Sequence, residues 1–251
     1  MKKLATALAL TLAMTATAET KTRNVAIFLY EGVEVLDFTG PAEVLEASSH
    51  FVSHDNPPLK LFTVARTKEP VISQRFLKVV PDYTIENAPR IDVLVIPGGN
   101  TGPTLADAAA MEWIKKTVDN AEVTLTVCTG AMPLGKLGYF DGLEVTTWYG
   151  AIERLRTIAP KANVKDGRRF VDNGKIITTA GVSAGIDGAL HLVARVFGRR
   201  IADQTAQYME YHWTPEPYLA RTYPYLNPST DDAGRAAQTA EIAAQGKIAR
   251  K

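Results

Sequence analysis

Short apolar runs of strand length recur along the chain, and stretches with helical spacing lie between them. Residues 24–30 (NVAIFLY) form a continuous apolar run suited to a strand buried on both faces, as strands of a parallel sheet are. Residues 59–65 and 92–96 (DVLVI) predict two more strands, and 76–85 an extended, partly exposed segment around Pro81. Val123, Leu125 and Val127 fall in another β-branched apolar run. Between these runs, Pro41 suits a first helical position and predicts a helix over 41–47, which leaves Asp37 in the preceding loop or just before the helix. Leu105, Trp113, Ile114 and Val118 predict a helix before the cysteine strand. Residues 129–137 predict another, stopped by Gly138. Further on, 143–147 reads as a strand, and Asn173-Gly174 predicts a hairpin turn within 170–179. Ile186, Leu190, Val193 and Phe197 recur at helical spacing over 184–197, ended by Gly198, and a last helix falls around 202–211. Strands alternating with helices in this way predict an α/β fold with a mostly parallel sheet.

The two ends depart from this pattern. Residues 1–20 read MKKLATALALTLAMTATAET, with Lys2 and Lys3, an apolar centre, and small Ala16 and Ala18. This is the pattern of a secretory signal peptide cleaved after Ala18. The apolar run is too short to span a membrane, which takes about 20 residues. The expected organisation is a signal peptide over 1–18, one domain over 19–230, and a polar, Ala-rich tail over 231–251. The expected destination is the periplasm. Composition adds an ordinary globular balance, with 46% hydrophobic and 22% charged residues. A formal net charge of +1 gives no electrostatic reason to expect nucleic acid or an anionic membrane as partner.

The chain has one cysteine, so no internal disulfide is available. Cys128 falls on the predicted turn between a strand and a helix, followed by Thr129, Gly130 and Ala131. There the backbone amides of a helix amino end would favour a thiolate, and two small residues would leave room beside the sulfur. The alternative is a small buried hydrophobe, the commoner fate of a free cysteine. Asp37 falls at the carboxyl end of the first strand, where a capping or solvated carboxylate is the ordinary role. Gly98-Gly99 directly after the 92–96 strand predicts a tight turn, and the Gly99 amide is a candidate oxyanion donor. The four histidines lie without metal-ligand spacing, and no phosphate loop or dinucleotide fingerprint occurs, so neither metal nor cofactor is expected. His191, on the apolar helix, reads as a structural residue.

Taken together, GVEVLDFTGPAEVL, VLVIPGGNTG, VCTGAMPLGKLG and TTAGVSAGIDGALHLVARVFG resemble the ThiJ/PfpI superfamily. The branch they resemble contains isonitrile hydratase and the amidotransferase-like domains of AraC-type regulators. The resemblance implies a flavodoxin-like three-layer sandwich with a nucleophile elbow. It implies that Cys128 is the nucleophile, that Asp37 is the acid reaching the sulfur, and that the amides of Gly99 and Thr129 line an oxyanion pocket. Thr129 is also implied to matter for activity, and MEYHWTPEPY resembles the segment near the family's carboxyl end. Many members carry a histidine after the paired threonines, where this chain has Trp148, so a Cys–His dyad is not available there. Trp148 and Asn100 are the expected pocket residues. The implied function is addition of water to a small electrophile, isonitrile hydratase-like or glyoxalase-like. The alternative is a non-catalytic ligand-binding or redox-sensing protein. By family analogy the protein is expected to be a homodimer acting on a small molecule.

Overall fold

A computed structural model describes residues 21–214. The expected signal peptide (1–18) and tail (231–251) lie outside the described residues. The elements follow in order as β1 (Arg23–Leu29), α1 (Val35–Val52), β2 (Leu59–Ala65), β3 (Val71–Ser73), β4 (Leu77–Val79) and β5 (Tyr83–Thr84). Then come β6 (Val93–Ile96), α2 (Gly102–Ala106), α3 (Ala108–Asn120), β7 (Val123–Thr126) and α4 (Ala131–Lys136). The rest is β8 (Glu144–Val145), α5 (Ile152–Ile158), β9 (Asn163–Val164), β10 (Phe170–Asp172), β11 (Ile176–Thr179), α6 (Ala184–Phe197) and α7 (Arg199–Tyr208).

Seven strands form one sheet in the order β10-β11-β7-β6-β1-β2-β5. Every pairing is parallel except β10 with β11, joined by the Asn173-Gly174 turn in which Gly174 takes φ +80°. The central strands β1, β6 and β7 are buried on both faces because both are covered: α1, α6 and α7 pack together, and α2 to α5 form a second group. The expected α/β sandwich with a mostly parallel sheet is what the chain adopts.

Four expectations need correction. The helix predicted over 41–47 is α1, and it runs from Val35 to Val52 with Pro41 inside it. Asp37 therefore stands in its first turn, not in a loop. Proline has no N–H, so the carbonyl four residues back, that of Asp37, lacks its helical donor, a defect cheapest near a helix start. The helix predicted over 129–137 is shorter: a 3-10 turn spans Cys128–Gly130, and α4 covers only Ala131–Lys136. The helix expected around Leu105 to Val118 is split, because Asp107 caps α3 by accepting from the Ala109 and Ala110 amides. The extended segment 76–85 divides between a β3–β4 hairpin and the edge strand β5.

From β1 the chain turns one way along the sheet to β2, and from β6 the other way to β7. The carboxyl ends of β1 and β6 thus flank the switch point, where open α/β sheets leave a crevice for a ligand.

Candidate active site

The loops after β1 and β6 are tied together at that crevice. Val33 bridges Gly99, the Glu34 amide donates to the Gly98 carbonyl at 2.9 Å, and the Asn100 amide donates to the Gly32 carbonyl at 3.0 Å. This brings Asp37, at the start of α1, against the turn after β6, where the Gly98 amide donates to its Oδ2 at 2.8 Å. Gly98 has to be glycine. A Cβ there would lie 2.7 Å from each of Asp37 Oδ2, Cys128 Cβ and the Thr129 amide nitrogen. One missing side chain therefore marks the point where acid, thiol and backbone donor meet.

Cys128 follows β7 with φ +57°, a left-handed conformation uncommon for a residue with a side chain. The elbow is held from three directions. The Cys128 amide donates to the Ala180 carbonyl at 3.1 Å, its carbonyl accepts from Thr147 Oγ1 at 2.6 Å, and Gly130 lies against β6. At Gly130 a Cβ would come 2.0 Å from the Ile96 carbonyl oxygen. The sulfur faces the amides of Thr129 and Val182.

Electrostatics differ from the sequence expectation of an activated thiol. Burial pushes the Cys128 thiol up to about 12, and the charge of Asp37 adds to this, outweighing the two amides that favour the thiolate. Asp37 is raised to about 7, first by burial and then by the Glu34 charge, against the opposing hydrogen bond from Gly98. Its side chain is 0% exposed, and Oδ1 has no hydrogen-bond partner among the described residues. The two groups therefore titrate as a pair that resists carrying two negative charges.

Asp37, Cys128 and Thr129 come together as expected. Gly99 is at the site, but its amide is engaged: it donates to Thr129 Oγ1 at 2.9 Å, and that hydroxyl lies 3.0 Å from the Gly99 carbonyl oxygen. The free donor on that side is thus the Thr129 amide, while the Thr129 hydroxyl closes the glycine turn. Trp148 lies over Gly181, where a Cβ would meet its Cδ1 at 2.4 Å, and is 36% exposed. With Tyr149, whose ring is 5.0 Å away, and Val182 it makes an exposed apolar lip at the Gly181–Val182 turn. Asn100 is exposed, and its side chain stands against Gly32 and Gly102. No contact of Asn100 ties it to the thiol. His191 is structural, its Nε2 2.7 Å from Asp172 Oδ2.

Sequence reasoning missed Val182. It lies in TTAGVSAG, a motif with no titratable side chain, and acts through a backbone amide set by φ +52°. Nothing in a valine announces that. Thr147 and Gly98 were also missed, although the paired threonines and paired glycines around them were visible.

A parallel sheet with a lone thiol on a left-handed elbow, faced by a buried acid from the first helix, defines a nucleophile-elbow α/β protein. The DJ-1/PfpI family model matches residues 23–195, and the chain belongs to that family. It is 32% identical over 207 residues to isonitrile hydratase of Pseudomonas putida, covering 82% of this chain and 85% of the relative. It is 25% identical over 179 residues to the HTH-type transcriptional regulator CdhR of Pseudomonas aeruginosa, covering 71% of this chain but 52% of the regulator. Among solved structures, a ThiJ/PfpI family protein from Pseudomonas syringae superposes with a TM-score of 0.71 at 24% identity, covering 95% of this chain and 93% of that one.

Proposed function

We propose that this protein is an exported, cysteine-dependent hydro-lyase that adds water to a small electrophile, with an isonitrile as the substrate class. The observation that carries the reading is the pairing of Cys128 with a buried acid that keeps its proton close to neutrality and has one oxygen without a partner. Neutral water adds slowly to the terminal carbon of an isonitrile. A thiolate adds readily if a proton reaches the same carbon.

In the singly ionised pair, the tautomer with thiolate and carboxylic acid is the reactive one. The sulfur lone pair forms the S–C bond as the Asp37 proton forms the C–H bond, giving a thioimidate and a carboxylate. Asp37 then takes a proton from water as the oxygen bonds to that carbon, and delivers it to nitrogen. Collapse breaks the S–C bond, expels the thiolate and returns the remaining hydroxyl proton to Asp37. The product is the N-substituted formamide, and no oxidant or reductant is needed. The Thr129 and Val182 amides are the donors for the charge on sulfur. The apolar lip of Trp148, Tyr149 and Val182 suits an apolar substituent on nitrogen.

The experiment is turnover of a panel of isonitriles and 2-oxoaldehydes, followed as formamide and hydroxyacid, with wild type, Cys128→Ser and Asp37→Ala. Formamide production abolished in both variants supports the reading. Hydroxyacid as the main product moves the assignment to glyoxalase-like chemistry. A second reading is a ligand-binding or redox-sensing protein; the 7% exposure of Cys128 limits attack by the sulfur and so favours the ligand-binding form of it over redox sensing. It prevails if no member of the panel turns over while a bound electrophile or an oxidised sulfur is found by mass spectrometry. A homodimer is part of the proposal, and light scattering giving a monomer mass at micromolar concentration would remove it.

A further inference from the structure

A half-buried ionic cluster around Asp187 lies outside the candidate active site. Arg169 Nε donates to Asp187 Oδ2 at 2.6 Å, and its Nη2 lies 2.9 Å from Ser183 Oγ and 3.2 Å from the Tyr211 hydroxyl oxygen. That hydroxyl donates to Asp187 Oδ2 at 2.9 Å. Asp187 is buried in the first turn of α6, and a bare carboxylate there would be costly without the guanidinium. Fold stability alone does not explain where this cluster grips the chain. The Arg169 carbonyl accepts from the Ala180 amide at 2.9 Å, and its guanidinium holds Ser183. Both ends of the Gly181–Val182 turn are therefore fastened to the same residue.

Between those anchors sits a strained backbone. Val182 has φ +52°, a left-handed conformation that a β-branched residue keeps only where its surroundings impose it. The consequence of the strain is that the Val182 amide faces the Cys128 sulfur and the Asp37 carboxyl. Trp148 covers Gly181 from the other side.

We infer that Arg169 is a positioning residue that, braced by Asp187 and Tyr211, holds the Gly181–Val182 turn so that the Val182 amide donates to the anion at Cys128. The inference builds on the proposed cysteine chemistry, yet its first test needs no substrate. The charged and titratable groups facing Cys128 are Asp37, Glu34 and Tyr30, and none belongs to the cluster, so an effect of Arg169 has to pass through the turn.

The test is the rate of alkylation of the single thiol by iodoacetamide against pH, in wild type, Arg169→Lys, Arg169→Met, Tyr211→Phe and the core variant Leu155→Ala. Loss of one amide donor to the thiolate raises the thiol midpoint by about one unit, so Arg169→Met should react about tenfold more slowly below the midpoint. Arg169→Lys should recover part of this, and Tyr211→Phe should show a smaller shift in the same direction. Leu155→Ala, cut from a buried position on α5, should lose thermal stability and keep the wild-type profile. If a substrate turns over, Arg169→Met should lower kcat with little change in KM. A folded Arg169→Met with the wild-type alkylation profile overturns the inference, whatever the substrate assay gives. If Arg169→Met does not fold, an unchanged profile in both Arg169→Lys and Tyr211→Phe overturns it equally.

Discussion

At the carboxyl of Asp37 two effects oppose each other: the Gly98 amide favours the ionised form, while burial and the Glu34 charge favour the neutral one, and burial wins. The ordinary value of 3.8 is raised to about 7. Between those values the unfolded chain is ionised at this position and the folded chain holds the proton. Stability therefore falls as pH rises from about 4 to about 7 and levels off above, by on the order of 4 kcal/mol at most. Asp37→Asn removes the titration and should flatten that part of the profile. Urea unfolding of both proteins across pH 4–8 checks this, and parallel profiles would mean that Asp37 is ionised throughout. Activity should run the opposite way. In the proposed mechanism the singly ionised pair reacts, so kcat/KM should rise through about pH 7 and reach a plateau above it.

Among the elements, those legible in the sequence were the ones whose signal is local. β2 and α6 have the expected bounds, and β1 lies one residue from its expected position, because their apolar patterns need no partner to be read. The extent of α1 was hidden by Pro41, whose local preference for a helix start yields to packing: Gly40 lets α1 approach Ile186 of α6, where a Cβ would come to 3.0 Å. The site was half legible. Cys128 and Asp37 carry chemistry in their side chains, whereas Val182 acts through its backbone and Gly98 through what it lacks. Glycines separate the close approaches from the open ones. Gly130→Ala would place a Cβ 2.0 Å from a backbone oxygen of β6, so the elbow must shift. The expected cost is about 1–3 kcal/mol or more, with loss of Cys128 reactivity. Gly102→Ala, whose nearest neighbour across space is Asn100 Oδ1 at 3.6 Å, should change thermal stability little. Equal effects from the two substitutions would contradict the packing described for the elbow.

At the scale of the whole molecule, the site is assembled from distant segments: the loop and first turn after β1, the glycine turn after β6, the elbow after β7 and the turn before α6. A site built this way depends on the sheet being intact, and every described strand lies beyond the expected cleavage point at Ala18. Removal of residues 1–18 would thus cost none of these elements. Export of the chain would carry its one thiol into an oxidising compartment where mixed disulfides form readily on exposed cysteines. Cys128 has two protections there. It is 7% exposed, and with its midpoint pushed up to about 12 it is almost entirely protonated at neutral pH, when the thiolate is the form that attacks disulfides. The expected outcome is a periplasmic protein whose intact mass lacks residues 1–18 and carries an unmodified thiol. Mass spectrometry of the native protein from fractionated cells makes the measurement. An intact amino terminus in the cytoplasm would refute export. A correctly cleaved protein bearing a stoichiometric glutathione adduct would mean that the sulfur is far more accessible and acidic than its burial implies.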